Sequence, residues 1–137
     1  MAVNLAGCII KDSNSKILLI HRNTPKRVQW EIPGGGVDNG DTLEQTAVRE
    51  LKEELDVTVR IIRQIGSKAF EEDGRHYEYH WFEARVVEGQ PRLTNVDEDT
   101  YDKLDYLSIS DMRTIFNKLS ANTKNFVQAV QDGDAKL

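Results

Sequence analysis

The stretch that decides the fold runs from Gly34 to Val57 and reads GGGVDNGDTLEQTAVRELKEELDV. Its second half has the composition of a helix and carries Glu50, Glu53 and Glu54. A helix turns by about 100° per residue, so these three carboxylates fall within an arc of roughly 100°. Like charges at this spacing repel each other, and Mg²⁺, which takes oxygen ligands and is commonly shared with substrate phosphates, removes the repulsion. The pattern therefore indicates metal-assisted chemistry on a phosphate compound.

An ordinary solvated helix face is the alternative explanation of these charges. Helices rich in Glu, Lys and Arg are common, and Arg49 with Glu53 has the spacing of a surface ion pair. The loop before the helix favours the functional interpretation. Pro33 is followed by three glycines and then by Asn39-Gly40, which is more backbone freedom than a helix entry requires. Such a run is typical of a loop whose backbone must approach another group closely.

The whole segment resembles the Nudix box of the Nudix hydrolase family, whose pattern is G-x5-E-x7-R-E-U-x-E-E-x-G-U with U an aliphatic residue. Gly35 opens the pattern here, and Trp30-Glu31-Ile32-Pro33 resembles the strand that enters it. Asp41 stands in place of the first Glu, and Asp56 in place of the last Gly. The remaining positions match, and they are Arg49, Glu50, Leu51, Glu53, Glu54 and Val57.

The resemblance implies hydrolysis of a pyrophosphate bond in a nucleoside diphosphate linked to another group X, with Mg²⁺ or Mn²⁺ as cofactor. It implies that Glu50, Glu53 and Glu54 bind the metal, together with a backbone carbonyl at Gly34 or Gly35. It also implies that Arg49 orients carboxylates within the motif.

The general base stays open between the motif glutamates and a downstream acid. Glu50 and Glu53 are the candidates within the motif. The run Asp97-Glu98-Asp99 is the candidate loop, and we favour Glu98 within it. A solvated acidic turn is the alternative explanation of that run.

The two departures from the pattern have physical accounts. Asp41 is one methylene shorter than Glu, so its reach toward Arg49 is reduced. It could also cap the helix with Glu44, and Thr42 with Gln45 is the competing capping box. Asp56 follows the helix, where a left-handed residue is common, and Asp tolerates that conformation better than most residues. Neither change removes an implied metal ligand.

Composition predicts a single domain over residues 1–137. The chain has 137 residues, 39% of them hydrophobic, and a net charge of −5, which argues against a protein that coats nucleic acid. Cys8 is the only cysteine, so no intrachain disulfide can form, and its apolar surroundings predict a buried thiol. The chain starts without the pattern of a signal peptide and has no apolar run of membrane-spanning length, so we expect a cytoplasmic protein.

The order of elements predicts an α/β (α+β) fold. Strands are expected over 3–11 and 16–21 as a hairpin, over 57–70 and 75–87, and over 106–109. Helices are expected over 42–55, 110–119 and 121–131, with an acidic loop at 95–101. The first helix has an apolar stripe at Leu43, Ala47, Leu51 and Leu55. The resemblance implies an α/β/α sandwich with a mixed sheet between helices.

Four residues outside the motif are candidates for substrate contact. Arg22 and Arg27, with Lys26 between them, could meet substrate phosphates, although a surface cluster is an equal alternative. Trp30 and Tyr77 could stack on a nucleobase, although aromatic side chains also favour strands for their packing.

The short chain resembles the small MutT-like nucleoside triphosphate pyrophosphohydrolases, so a nucleoside triphosphate is the expected substrate. The alternatives are a nucleotide sugar, ADP-ribose or a dinucleoside polyphosphate, or a domain that binds nucleotides without turnover. The expected partner is thus a small nucleotide, with no nucleic acid polymer and no membrane. Many family members are dimers, so a homodimer stays an open alternative.

Overall fold

The computed structural model describes residues 2–38, 40–94 and 101–137. These residues form strands β1 to β7 and helices α1 to α3, numbered in chain order. The strands are Val3–Ile9, Ile17–Asn23, Val28–Glu31, Gly34–Gly36, Thr58–Glu72, Arg75–Glu88 and Tyr101–Leu107. The helices are Leu43–Leu55, Ile109–Thr114 and Ala121–Gln131, and a 3₁₀ turn covers Phe116–Lys118.

Helix α1 begins and ends as local chemistry requires. Thr42 is the N-cap, and its hydroxyl accepts from the Gln45 backbone N–H while the Gln45 side chain accepts from the Thr42 N–H. The capping box therefore uses Thr42 and Gln45, and not Asp41 and Glu44. At the other end Asp56 adopts the left-handed conformation with φ of 53°, as its position after the helix predicts.

The strands form two sheets, in the orders β4-β1-β6-β5 and β3-β2-β7. Strands β1 and β6 run parallel, and the other pairs run antiparallel. The predicted hairpin of β1 and β2 is wrong beyond its first bridge between Lys11 and Ile17. After that bridge the two strands diverge into different sheets, because β1 pairs with β4 and β6 while β2 pairs with β3 and β7.

Two buried clusters lie on opposite sides of the strands. Successive side chains of a strand point to opposite faces, so Cys8 joins one cluster and Ile9 joins the other. The first cluster contains the inward face of α1, with Ala47, Leu51 and Leu55. The second contains residues of α2 and α3, among them Met112, Phe126 and Val127. The expected sandwich of strands between helices is confirmed.

The C-terminal third departs from the expected bounds. Strand β7 begins at Tyr101 and not at Tyr106, so Tyr101 belongs to a strand and not to the acidic loop; residues 95–100 of that loop lie outside the described residues. Helix α2 is shorter than expected and gives way to the 3₁₀ turn. No described helix combines the length and the apolar composition needed to cross a membrane.

Candidate active site

The glycine strand β4 lies directly against the acidic face of α1. The Gly34 N–H donates to Glu54 Oε1 at 3.0 Å. A Cβ on Gly34 would stand 2.5 Å from the Ala6 carbonyl oxygen, and a Cβ on Gly35 would collide with the Glu50 carboxylate. Glycine is therefore favoured at both positions, because a side chain on Gly34 would collide with the backbone of β1 and one on Gly35 would displace the Glu50 carboxylate.

Glu50 and Glu54 form an acidic centre with Glu31, which comes from β3. The side chains of Glu31 and Glu50 are only 14% and 15% exposed. Burial, and then the charges of Glu50 and Glu31, raise the pKa of Glu54 well above its usual range. Burial also raises the pKa of Glu50, against the opposing effect of Arg49. Burial and mutual repulsion destabilise the ionised form of these carboxylates, and a bound cation would stabilise it.

Glu53 stands apart from this centre, with its side chain 58% exposed. Its carboxylate accepts from Arg49 Nη1 at 3.3 Å, and the same nitrogen donates to Glu50 Oε1 at 3.3 Å. Arg49 also donates to Asp41 Oδ2 and to the Gly36 carbonyl, both at 3.1 Å. Asp41 thus reaches the motif arginine despite its shorter side chain, and Arg49 ties the glycine loop to α1.

Within the described residues, no three His, Cys, Asp or Glu side chains converge as a ready metal site. The structure brings Glu50 and Glu54 together, while the Glu53 side chain is largely exposed and is linked to Glu50 through Arg49 Nη1. The donor set nevertheless fits a hard divalent cation, since it consists of partly buried carboxylate oxygens next to the backbone of Gly34 and Gly35.

Sequence reasoning did not assign a role to Glu31 or to Tyr101. Arg22 donates to Glu31 through Nε at 2.5 Å and through Nη2 at 3.1 Å, and Gln29 Nε2 adds a further bond at 2.7 Å. Arg22 Nη2 also donates to the Tyr101 hydroxyl at 2.8 Å. The position of Glu31 just before the glycine run could have signalled its role. Nothing in the sequence around Tyr101 places it near α1.

An open pocket of about 320 Å³ lies beside the acidic centre. Its walls come from the loop before β3, from β3 and β4, from the β5–β6 hairpin and from the start of α3. Arg22 and Arg27 both line it, as does Lys26. Arg27 pairs with Glu72 at 2.6 Å and with Asp73. These ion pairs link the two sheets at the rim of the pocket.

The two aromatic candidates lie outside the pocket lining. Trp30 packs against the His21 ring at 4.8 Å between centroids, and the Lys103 ammonium lies 5.5 Å from its ring centre. Tyr77 stacks on Phe70 at 5.3 Å, and it is Phe70 that lines the pocket. Glu98, our candidate for the general base, lies outside the described residues.

Asn122, in the first turn of α3, supplies an oriented polar group to the pocket. It is only 7% exposed, and its Oδ1 accepts from the Trp81 indole Nε1 at 2.8 Å. Because an amide oxygen and nitrogen lie on opposite sides of the group, this bond fixes which side carries the NH₂ donors. Among the described residues, none accepts a hydrogen bond from that NH₂ group, which leaves it available to a ligand.

Comparison with known proteins agrees with this geometry. The NUDIX domain model matches residues 2–130. The chain is 30% identical to the 8-oxo-dGTP diphosphatase of Escherichia coli (strain K12) over 91 residues, which are 65% of this chain and 70% of that protein. It is 42% identical to the ADP-ribose pyrophosphatase of Methanocaldococcus jannaschii over 66 residues, which are 47% of this chain and 38% of that protein.

A solved structure supports the same fold. The MutT protein from Methanosarcina mazei Go1 superposes with a TM-score of 0.79 over 98% of this chain and 96% of that chain, at 20% identity. Members of the NUDIX family act as pyrophosphohydrolases and generally use divalent metal ions. Given the match over residues 2–130 and a glycine strand that meets the motif carboxylates, this chain belongs to the NUDIX family and is a Nudix hydrolase.

Proposed function

We propose that this protein hydrolyses a nucleoside triphosphate at a phosphoanhydride bond, with Mg²⁺ or Mn²⁺ as cofactor. The observation that carries the proposal is the adjacency of two features. The acidic centre of Glu31, Glu50 and Glu54 opens onto the 320 Å³ pocket, which Glu31, Gly34 and Gly35 help to line. A nucleotide needs such a pair of neighbouring sites, one for its phosphates and one for its nucleoside.

The metal would be held by Glu50 and Glu54, joined by Glu53 and by the carbonyl oxygen of Gly35. When bound, such an ion neutralises phosphate charge and lowers the pKa of the attacking water. Water then adds to a phosphorus atom, the bridging P–O bond breaks, and the proton of the water passes to a general base. Glu98 remains our choice for that base, and Glu50 and Glu53 are the alternatives within the motif.

The basic residues of the pocket would receive the phosphate chain. Arg22 and Arg27 are each paired with carboxylates, Arg22 with Glu31 and Arg27 with Glu72. An incoming phosphate adds negative charge beside these pairs, so the guanidinium groups can share their donors with it. Arg49, which lies on α1 and contacts the Gly36 carbonyl, would position the carboxylates of Glu50 and Glu53.

Asn122 supports a nucleoside as the occupant of the rest of the pocket. Its NH₂ group is a donor whose direction is set by Trp81. Carbonyl oxygens and ring nitrogens of a nucleobase are the matching acceptors. Trp30 and Tyr77 lie outside the lining, and we therefore expect them to contribute to binding less than Asn122 does.

ADP-ribose is the second candidate substrate, because the relative from Methanocaldococcus jannaschii is an ADP-ribose pyrophosphatase, and a nucleotide sugar is a further alternative. A domain that binds nucleotides without turnover is a further alternative. The intact carboxylates of the motif argue against it, since a sensor would not need the repulsion between Glu50 and Glu54.

The test is phosphate release, with coupling enzymes, from canonical and oxidised nucleoside triphosphates, ADP-ribose, nucleotide sugars and dinucleoside polyphosphates in excess Mg²⁺. We expect turnover of triphosphates that EDTA and Glu54→Gln abolish. Glu44→Gln is the matched control, because Glu44 is an exposed carboxylate on the same helix outside the acidic centre. Turnover that survives Glu54→Gln would refute the proposed site. Turnover of ADP-ribose alone would show that ADP-ribose, and not a nucleoside triphosphate, is the substrate.

A further inference from the structure

Tyr101, the first residue of β7, brings its hydroxyl into the acidic centre. The hydroxyl lies 2.8 Å from Arg22 Nη2 and 3.4 Å from both Glu31 Oε1 and Glu54 Oε2. It thus meets side chains from β2, β3 and α1 at one point. The Arg22 guanidinium also lies over the Tyr101 ring, with its Cζ 4.9 Å from the ring centre.

The hydrogen bonds that Glu31 and Glu54 already accept indicate which of them receives the Tyr101 hydroxyl proton. A phenol has one O–H donor, and Arg22 already donates to its oxygen. Glu31 accepts hydrogen bonds from Arg22 Nε, Arg22 Nη2 and Gln29 Nε2, so its carboxylate already has three donors. Glu54 accepts only from the Gly34 N–H among the other described groups. The single proton therefore stabilises the structure most when it is donated to Glu54.

The two donors of Glu54 act on different oxygens. Gly34 N–H binds Oε1, and the Tyr101 hydroxyl faces Oε2. One contact alone would leave the carboxylate free to rotate about its last bond, whereas two fix its plane. Arg22 in turn fixes the hydroxyl, because its guanidinium is clamped on Glu31.

We propose that Tyr101 is a positioning residue of the hydrolase, which orients the Glu54 carboxylate toward a bound divalent cation. The role rests on the proposed function, since it requires Glu54 to be a metal ligand. Hydrogen-bond partners of metal ligands typically change metal affinity by about 10- to 100-fold when they are removed. At distances of 3.4 Å we expect the lower end of that range.

The experiment compares Tyr101→Phe with Tyr106→Phe in the full chain. Tyr106 is the matched control: it lies on the same strand and is half-buried, and its hydroxyl has no partner among the described residues. Mn²⁺ binding is measured by electron paramagnetic resonance without nucleotide. We expect a Kd about tenfold higher for Tyr101→Phe and unchanged for Tyr106→Phe. With substrate and a fixed, subsaturating Mn²⁺ concentration, kcat should fall in Tyr101→Phe while the nucleotide KM changes less than about twofold.

A thermal measurement keeps the test decisive if Tyr101→Phe is less stable. The Tm of each variant is taken with and without Mn²⁺, and the difference reports metal binding whatever the starting Tm. Equal Mn²⁺ affinity in wild type and Tyr101→Phe would overturn the positioning role while leaving the metal site intact. Failure of the wild-type protein to bind Mn²⁺ would instead refute the proposed metal ligands, and the role of Tyr101 with them.

Discussion

Replacement of Glu54 by glutamine should make the stability of the metal-free protein less dependent on pH. Burial and the neighbouring charges of Glu50 and Glu31 raise the pKa of Glu54, so the folded protein holds this proton at a pH where the unfolded chain has lost it. Protonated Glu54 is neutral and tolerates its site, whereas ionised Glu54 is destabilised. Glutamine has nearly the same shape, has no charge, and can still accept from the Gly34 N–H.

The sign follows from proton counting. Where the folded state binds more protons than the unfolded state, the free energy of unfolding falls as pH rises. For one group the slope is at most about 1.4 kcal/mol per pH unit, and it applies from the unfolded pKa of Glu, about 4.3, up to the raised pKa of the folded state. For a domain of this size, about 1 kcal/mol corresponds to roughly 4 °C in Tm. The Tm of the wild type should therefore fall relative to that of Glu54→Gln as the pH rises above about 4.3, by at most about 6 °C per pH unit.

The assay is thermal unfolding from pH 4 to pH 8 in EDTA, with Glu53→Gln as the control. Glu53 belongs to the same motif but has a side chain 58% exposed, so removal of its charge should flatten the pH dependence less than Glu54→Gln does. In excess Mn²⁺ the wild type should gain stability and Glu54→Gln should gain little. Parallel curves for wild type and Glu54→Gln in EDTA, or equal flattening by Glu53→Gln, would refute the argument from burial.

Three further outcomes follow from the structure. Gly34→Ala should lower the free energy of unfolding by about 1–3 kcal/mol, because its Cβ would lie 2.5 Å from the Ala6 carbonyl oxygen; urea unfolding measures this, and an unchanged midpoint would contradict it. Asp73→Asn removes exposed ion pairs to Lys26 and Arg27, so the fall in its urea midpoint should be small and should disappear at 1 M salt, and a fall that persists in salt would contradict this. Burial, with a smaller effect of the Glu54 charge, raises the pKa of Cys8 to about 12, so a thiol reagent at pH 8 should label it only after unfolding, and rapid labelling of the folded protein would contradict the placement.

Local signals predicted the elements that carry the motif. The apolar stripe of α1 and the left-handed Asp56 depend on neighbours within a few positions, and the structure has them as expected. Of the two capping boxes that the sequence left open, the structure has Thr42 with Gln45. The long strands β5 and β6 were also recognisable from composition and from the turn between them. These features could be predicted because short-range chemistry alone determines them.

Pairing between distant segments could not be predicted in this way. The turn after β1 indicated a hairpin with β2, but β1 pairs with β6, some seventy residues away. The same limit applies to the site. Glu31 lies near Glu54 because β3 leads directly into the glycine strand, which contacts α1, and Tyr101 lies on β7 in the sheet of β3. The position of Glu31 before the glycine run is the one local signal of its approach, and nothing in the sequence around Tyr101 indicates the other.

The departure at Asp41 is tolerated because Arg49 does not depend on one partner. Its guanidinium donates to Asp41, to the Gly36 carbonyl and to the carboxylates of Glu50 and Glu53. The planar guanidinium has five N–H donors, so a longer distance to one acceptor leaves its hydrogen bonds to the others in place. The contact with the Gly36 carbonyl joins the glycine strand to the helix, and it involves no motif side chain except that of Arg49. A shorter acid at position 41 therefore changes one contact at the edge of the site, while the approach of Gly34 to Glu54, on which the acidic centre depends, is unaffected.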